Sequence, residues 1–322
     1  MAGKKGQVEE AVGESKAAQK EVVIGVLSLQ GAFEEHQACL ENGTGCKTKQ
    51  IRTAKELEGI DGIILPGGES TAMGLIGNQD DGMFWTALKA FIESGKPTWG
   101  TCAGMILLAD RCVGASAVIE NGQSLIGGMD VLVCRNYFGS QISSFEMDTP
   151  PPPITKKYLS TRVSQNYNHD DAVTTPYPGI FIRAPAILNA GPEIEVLGKV
   201  VATPCRQAAV VLEELQNKID AGENVVMMGV VDALDRDNNN CVHVKDVIKQ
   251  SNDKHNDIEN DYHSHVKIQL PGASHGTNAR EVICAAKKQN VLITSFHPEL
   301  TGDFRWHQYF HSMVIEYMSS TS

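Results

Sequence analysis

Pro97-Thr98-Trp99-Gly100-Thr101-Cys102-Ala103-Gly104-Met105-Ile106-Leu107-Leu108-Ala109 is the stretch on which the fold turns. Pro97 to Thr101 reads as a buried strand and Ala103 to Ala109 as a helix, with Gly100-Thr101-Cys102-Ala103-Gly104 bending the chain between them. This is the G-x-nucleophile-x-G elbow, with cysteine where hydrolases place serine. The glycines are there because the turn is too tight for side chains near the nucleophile. The thiol projects from the strand end, close to the positive N-terminal end of the following helix, which favours thiolate. The amide of Ala103, just after the nucleophile, is placed to donate to an oxyanion. An isolated cysteine in a glycine-rich turn reads as a buried structural residue; the elbow reverses that reading.

The flanking sequence repeats the strand-then-helix alternation. Val22 to Leu29 is a β-branched apolar run, as expected of a strand buried on both faces, and Phe33 to Leu40 has helical spacing, with Asn42-Gly43 as a stop signal. Ile60 to Leu65 is a second buried strand, broken by Pro66-Gly67-Gly68, and Phe84 to Ile92 is helical. The pattern predicts an α/β fold: a doubly wound, largely parallel sheet flanked by helices, in which functional loops gather at the carboxyl ends of the strands. The loops after Leu29, Leu65 and Gly100 fall there. Leu125 to Arg135, Ile142 to Glu146, Gly179 to Arg183 and Glu193 to Val201 read as shorter strands. Val282 to Ala286 and Val291 to Phe296 resume the sheet, and Phe304 to Tyr317 closes the chain as a helix.

At 322 residues the chain is long enough for one large domain with its own core. The expected organisation is a polar tail over residues 1–20 and one domain over 21–322. Two surface insertions interrupt it, at about 149–178, opened by Pro150-Pro151-Pro152-Pro153, and at about 204–281. Within the second, Val210 to Ile219 reads as an amphipathic helix, Val225 to Leu234 as an apolar segment and Asn252 to His265 as polar and mobile. A formal charge of −11 disfavours a nucleic-acid partner, whose phosphates call for clustered Lys and Arg. No apolar run approaches the roughly 18 residues of a membrane span. The first twenty residues have no apolar signal core and carry Glu9, Glu10 and Glu14. Eight cysteines without a CxxC pair suggest neither a disulfide framework nor a zinc ribbon, so the expected location is a reducing cytoplasm.

A cysteine nucleophile needs a base. Ser295-Phe296-His297-Pro298-Glu299 follows the apolar strand, and in an extended segment residues two apart share a side, so Glu299 can meet the imidazole of His297. The carboxylate then fixes tautomer and orientation and leaves the other ring nitrogen for the thiol. Leu65-Pro66-Gly67-Gly68-Glu69-Ser70-Thr71 exposes backbone amides that suit a carboxylate or oxyanion; the lysine and G-K-[ST] ending of a P-loop are missing. No metal site is expected. Asp235 to Asn240, with Asp246 twelfth, has Asn240 where a calcium loop needs glycine and Asp in place of the closing Glu, and reads as a solvated turn. Asp261 with His263 and His265 reads as solvated surface.

With these residues in hand, the chain resembles the class I glutamine amidotransferases with a Cys-His-Glu triad. More narrowly, it is similar to the glutaminase subunits of pyridoxal 5′-phosphate synthase. The resemblance is carried by Gly25 to Ala32, Leu65 to Thr71, Gly100 to Leu108, Arg135 to Gln141, Ser144 to Glu146, Phe181 to Pro185 and Thr294 to Thr301. It implies hydrolysis of L-glutamine to glutamate and ammonia: Cys102 attacks the side-chain amide, His297, held by Glu299, protonates the leaving ammonia, and a glutamyl thioester is cleaved by water. It assigns Gly68, Glu69 and Ser70 to the glutamine-contacting loop, with the Gly68 amide as second oxyanion donor beside Ala103. Arg135, Ile182 and Arg183 take the remaining substrate positions, and Gln30 falls near the oxyanion site and the partner interface. The resemblance also implies a separate synthase subunit as partner, and no cofactor in this chain.

Other readings of the same residues are a glutaminase serving another ammonia-dependent synthase, a cysteine peptidase or esterase on the same elbow, and a non-catalytic regulatory or scaffold relative. Arg135 to Gln141 and Phe181 to Pro185 argue against the first, and intact Cys102, His297 and Glu299 against the last.

Overall fold

The computed structural model describes residues 21–79, 82–114, 123–139, 144–159, 171–221, 230–232, 269–273 and 278–321. The expected tail, the acidic turn at Asp235 to Asn240, the Asn252 to His265 stretch and most of the Val225 to Leu234 segment lie outside these residues.

Five parallel strands form one half of the main sheet: β1 (Val23–Leu27), β2 (Lys47–Ile51), β3 (Gly62–Leu65), β4 (Thr98–Thr101) and β14 (Val291–Thr294), in the order β2-β1-β3-β4-β14. The other half is built from β5 (Ala109–Val113), β7 (Met129–Cys134), β10 (Ala186–Ala190), β11 (Glu195–Ala202) and β13 (Arg280–Lys288). There β14-β13-β10-β7 run antiparallel, β5 lies parallel to β7, and β11 pairs with β13. β6 (Gln123–Leu125) and β12 (Val230–Asp232) form a separate parallel pair, and β8 (Phe145–Thr149) and β9 (Tyr177–Phe181) an antiparallel one.

Strand periodicity sorts the core into two layers. Ile24, Val26, Ile64, Trp99 and Leu292 face one side, where they meet residues of α1 (Phe33–Thr44), α5 (Arg206–Asp220) and α6 (Arg305–Thr321). Leu27, Ile63, Leu65 and Ile293 face the other, against α2 (Ser70–Gly77), α3 (Met83–Glu93) and α4 (Ala103–Leu108). Because neighbouring side chains on a strand point to opposite faces, these near-continuous apolar strands feed both layers at once. The doubly wound expectation holds.

Several boundaries differ from the sequence reading. α1 passes Gly43 and stops at Gly45, whose φ of 75° gives the left-handed cap. The Leu125 to Arg135 run is two strands, split at Gly127 and Gly128. Ala109 opens β5 directly after α4 instead of ending the helix. α5 covers the amphipathic stretch and buries Ala208, Leu212 and Leu215 against the sheet. The chain leaves the sheet at Ala202 and returns at Arg280, which are paired residues on β11 and β13.

Candidate active site

The carboxyl ends of β1, β3, β4 and β14 open into a cavity of about 370 Å³. Its wall includes Gln30, Gly68, Glu69, Ser70, Cys102, Ala103, Arg135, Ile182, Arg183 and His297. Every residue expected at the site is therefore on this wall except Glu299, which stands behind His297 and is 5% exposed. Sequence reasoning did not assign Gly31, Ala32, Gly67, Ile106, Asn136 and Leu300, which complete the wall. Asn136 had a signal in hindsight, since it directly follows Arg135.

Cys102 has φ 46° and ψ −99°, a conformation that L-residues avoid and that marks stored backbone strain. It is held by register: Thr101 pairs with Thr294, and the Cys102 N–H donates to Thr294 O at 2.9 Å. The loops carrying nucleophile and base thus leave the sheet side by side. Two glycines are required by close approach. A Cβ on Gly104 would strike Leu65 O, and one on Gly67 would strike the His297 ring, so neither α4 nor the imidazole could keep its place. Burial pushes the thiols of Cys39, Cys112, Cys134 and Cys284 up to about 12, which removes them as nucleophiles near neutrality.

His297 Nδ1 lies 2.8 Å from Glu299 Oε1. The pair meets by a different route from the expected extended segment. Pro298 starts a 3₁₀ turn, Pro298–Leu300, with His297 at its N-cap, and the turn brings the carboxylate back under the ring. Burial opposes the imidazolium, but the neighbouring Cys102 thiol and then Glu299 outweigh it and hold His297 well above the usual histidine value. Its buried Nε2 has no well-aligned hydrogen bond in the resting site, although the thiol is close enough to act on it. Burial pushes the Glu299 carboxyl up, yet His36 and His297 more than reverse this, leaving it below its ordinary range.

On the opposite wall, Glu69 caps α2, accepting from the N–H groups of Thr71 at 3.2 Å and Ala72 at 2.7 Å. The Glu69 N–H donates to Gln30 Oε1 at 2.7 Å, so Gln30 sits against the Gly68-Glu69 backbone. Arg135 donates to Thr71 Oγ1 at 3.2 Å and lies 3.7 Å from Glu69 Oε1. Arg183 is exposed with φ 46°, a second strained residue on the same cavity. The site thus offers a buried thiol with an oriented imidazole on one side and backbone amides with a guanidinium on the other. That suits attack on a carbonyl carbon of a small substrate bearing a carboxylate.

The sequence profile of the SNO glutamine amidotransferase family matches residues 26–222. A probable pyridoxal 5′-phosphate synthase subunit PDX2 of Arabidopsis thaliana is 36% identical over 92% of this chain and 87% of its own length. A probable pyridoxal 5′-phosphate synthase subunit of Dictyostelium discoideum is 31% identical over 91% of this chain and 93% of its own. The pyridoxal 5′-phosphate synthase subunit PdxT of Kineococcus radiotolerans is 32% identical, over 91% and 95%. Among solved structures, one described as a glutamine amidotransferase superposes with a TM-score of 0.52 at 25% identity, covering 90% of this chain and 98% of that one.

Proposed function

The chain belongs to the SNO glutamine amidotransferase family, and from that premise we propose that it is the glutaminase subunit of a pyridoxal 5′-phosphate synthase. It hydrolyses L-glutamine to glutamate and ammonia and hands the ammonia to a separate synthase subunit. Free ammonia near neutrality is mostly ammonium, a poor nucleophile, so direct delivery matters.

In this reading His297 holds the proton given up by the Cys102 thiol, Cys102 Sγ attacks the side-chain amide carbon, and the oxyanion is met by the amides of Ala103 and Gly68. His297 gives its proton to the departing nitrogen, the C–N bond breaks, and a glutamyl thioester remains on Cys102. His297 then takes a proton from water, which attacks the thioester; the C–S bond breaks, glutamate leaves, and His297 returns the proton to sulfur. Glu299 keeps the imidazole in one orientation throughout. Glu69, Ser70, Arg135, Ile182 and Arg183 hold the amino acid end, where a guanidinium suits the α-carboxylate. Gln30 stands between the oxyanion site and the partner-facing rim. The observation that carries this reading is the His297–Glu299 contact of 2.8 Å on the same cavity as the strained Cys102.

The proposed setting is the cytoplasm. The seven cysteines among the described residues are all free thiols, and a thiol nucleophile is kept active by a reducing compartment. No described helix is long and apolar enough to cross a membrane.

The test is glutamate release from L-glutamine by the wild-type chain and by Cys102→Ala, each with and without a synthase subunit. Wild-type release that rises with the synthase and vanishes in Cys102→Ala is expected. A folded, synthase-bound wild type that releases no glutamate overturns the assignment.

A further inference from the structure

Behind the triad lies a buried polar chain that the reaction as written does not use. His36, on α1, is fully buried, and its Nε2 faces Glu299 Oε2 at 3.3 Å and Thr101 Oγ1 at 3.2 Å. Its Nδ1 is 2.9 Å from His307 Nε2, on α6, and His307 is fully buried as well. The indole of Trp99 meets both rings edge-on, with centroids 5.7 and 5.1 Å away, and closes the group from the sheet side.

The proton positions follow from which atoms are left over. His307 Nδ1 is buried with no partner. A bare ring nitrogen tolerates that better than an orphaned N–H, because only the N–H would forfeit a strong donor bond. His307 therefore carries its proton on Nε2 and gives it to His36 Nδ1. That leaves the His36 proton on Nε2, between Thr101 Oγ1 and Glu299 Oε2. Glu299 Oε2 is itself buried without a well-aligned hydrogen bond, and Oε1 is already engaged by His297. The unsatisfied carboxylate oxygen and the His36 Nε2–H, which Thr101 Oγ1 shares, lie 3.3 Å apart.

We propose that His36, backed by His307, is a positioning residue of the triad: its Nε2–H is offered to Glu299 Oε2 and fixes the carboxylate that orients His297. The inference rests on the glutaminase reading above. Glu299, free to rotate about its last bond, would present either oxygen to His297 at varying angles. Pinned from behind by an uncharged donor, it keeps one oxygen on Nδ1 and its full charge for the imidazolium. The groups facing His36 are Glu299, His297 and Glu35 by charge, with His307 and Thr101 by hydrogen bonding. Burial lowers both His36 and His307 from the usual histidine value, in keeping with two neutral rings.

The test compares wild type, His36→Leu and His36→Gln in complex with the synthase subunit. Gln places an amide donor near the Nε2 position; Leu fills the space without one. In His36→Leu, kcat for glutamate release should fall about tenfold to a hundredfold, the range found for outer partners of metal-bound histidines, with KM for glutamine within about twofold. The alkaline limb of the kcat/KM profile should move to lower pH, because a loosened Glu299 supports the imidazolium less. His36→Gln should restore most of both. Unchanged kcat and alkaline limb in folded His36→Leu would overturn the proposal, as would a loss that His36→Gln does not relieve.

Should His36→Leu fail to fold, the wild-type chain decides alone. With ¹⁵N-labelled histidine, His36 should show a protonated Nε2 and a bare, hydrogen-bonded Nδ1 across neutral pH. The opposite tautomer overturns the proposal. These spectra need no turnover, so a wild type inactive toward glutamine would count against the glutaminase reading and leave the tautomer result standing.

Discussion

The backbone N–H of His297 donates to the carbonyl of Ile180 at 2.8 Å. Ile180 is on β9, two residues before Ile182 and three before Arg183, so one backbone bond ties the proposed base to the proposed substrate-holding turn. The same strand begins at Tyr177, whose hydroxyl meets Pro298 O, Thr301 Oγ1 and Asp303 O within 3.3 Å. The triad turn is therefore fastened at both ends to a strand outside the main sheet.

Arg305 secures that strand in turn. It is fully buried, pairs with Asp303, and donates to the carbonyls of Ala172, Thr175 and Pro176. Arg305→Lys should not substitute, since an ammonium cannot reach carboxylate and carbonyls in the same fork. Arg305→Ala leaves Asp303 buried and uncompensated, and urea unfolding should show a loss of about 3–5 kcal/mol. Proteolysis near 171–176 should quicken in parallel.

Cys102→Gly separates strain from chemistry. Glycine accepts the φ of 46° that cysteine resists, so the variant should be as stable as Cys102→Ala or more so, by about 1 kcal/mol once its greater unfolded-state entropy is subtracted. Both should lack glutaminase activity. A Cys102→Gly variant clearly less stable than Cys102→Ala, by calorimetry, would show the elbow to be relaxed.

Glu299→Gln keeps the shape beside His297 and removes the charge. By comparison with the aspartate of serine-protease triads, kcat should drop about 10²- to 10⁴-fold, with the alkaline limb of the profile shifted down. Steady-state glutamate release across pH measures both.

The three buried histidines give stability a maximum near their ordinary value of 6.5. Below it the unfolded chain binds protons on His36 and His307 that the folded chain refuses, so stability falls as pH falls. With two such sites the slope reaches about 3 kcal/mol per pH unit. Above it the folded chain keeps, through Glu299, a proton on His297 that the unfolded chain releases, so stability falls again; the part of the rise due to Cys102 only moves a proton within the pair and leaves the count unchanged. The contribution of Glu299 is complete above 4.5 and is lost as pH falls through its lowered folded value. Urea midpoints from pH 4 to 9 should trace this peak, and His307→Leu should flatten its acid side.

The elbow and the parallel strands were legible because each rests on short-range chemistry, glycine spacing and β-branched runs; the His297–Glu299 pairing was legible from closeness in the chain, but the 3₁₀ turn that makes it was not. β2 was not, since Lys-Thr-Lys-Gln-Ile at the sheet edge has no continuous apolar face to announce it. β10 is five residues with Asn189 among them and is defined by its neighbours more than by its own pattern. His36 and His307 look like ordinary members of helices, and their meeting spans 271 positions. Tyr177 and Arg305 are likewise read only from what surrounds them. Local sequence records turns and nucleophiles; it does not record which distant side chains share a buried volume.

Ala202 and Arg280 face each other across β11 and β13, so whatever joins them starts and finishes at one ladder rung. Past α5, which packs on the sheet, the sheet is indifferent to how much chain hangs before Arg280, because closing a longer loop costs only about 0.6 kcal/mol per doubling of length. That place is a socket. New termini opened there by circular permutation, or a foreign domain spliced in, would leave the rung, and the thiol site across the sheet, as they stand.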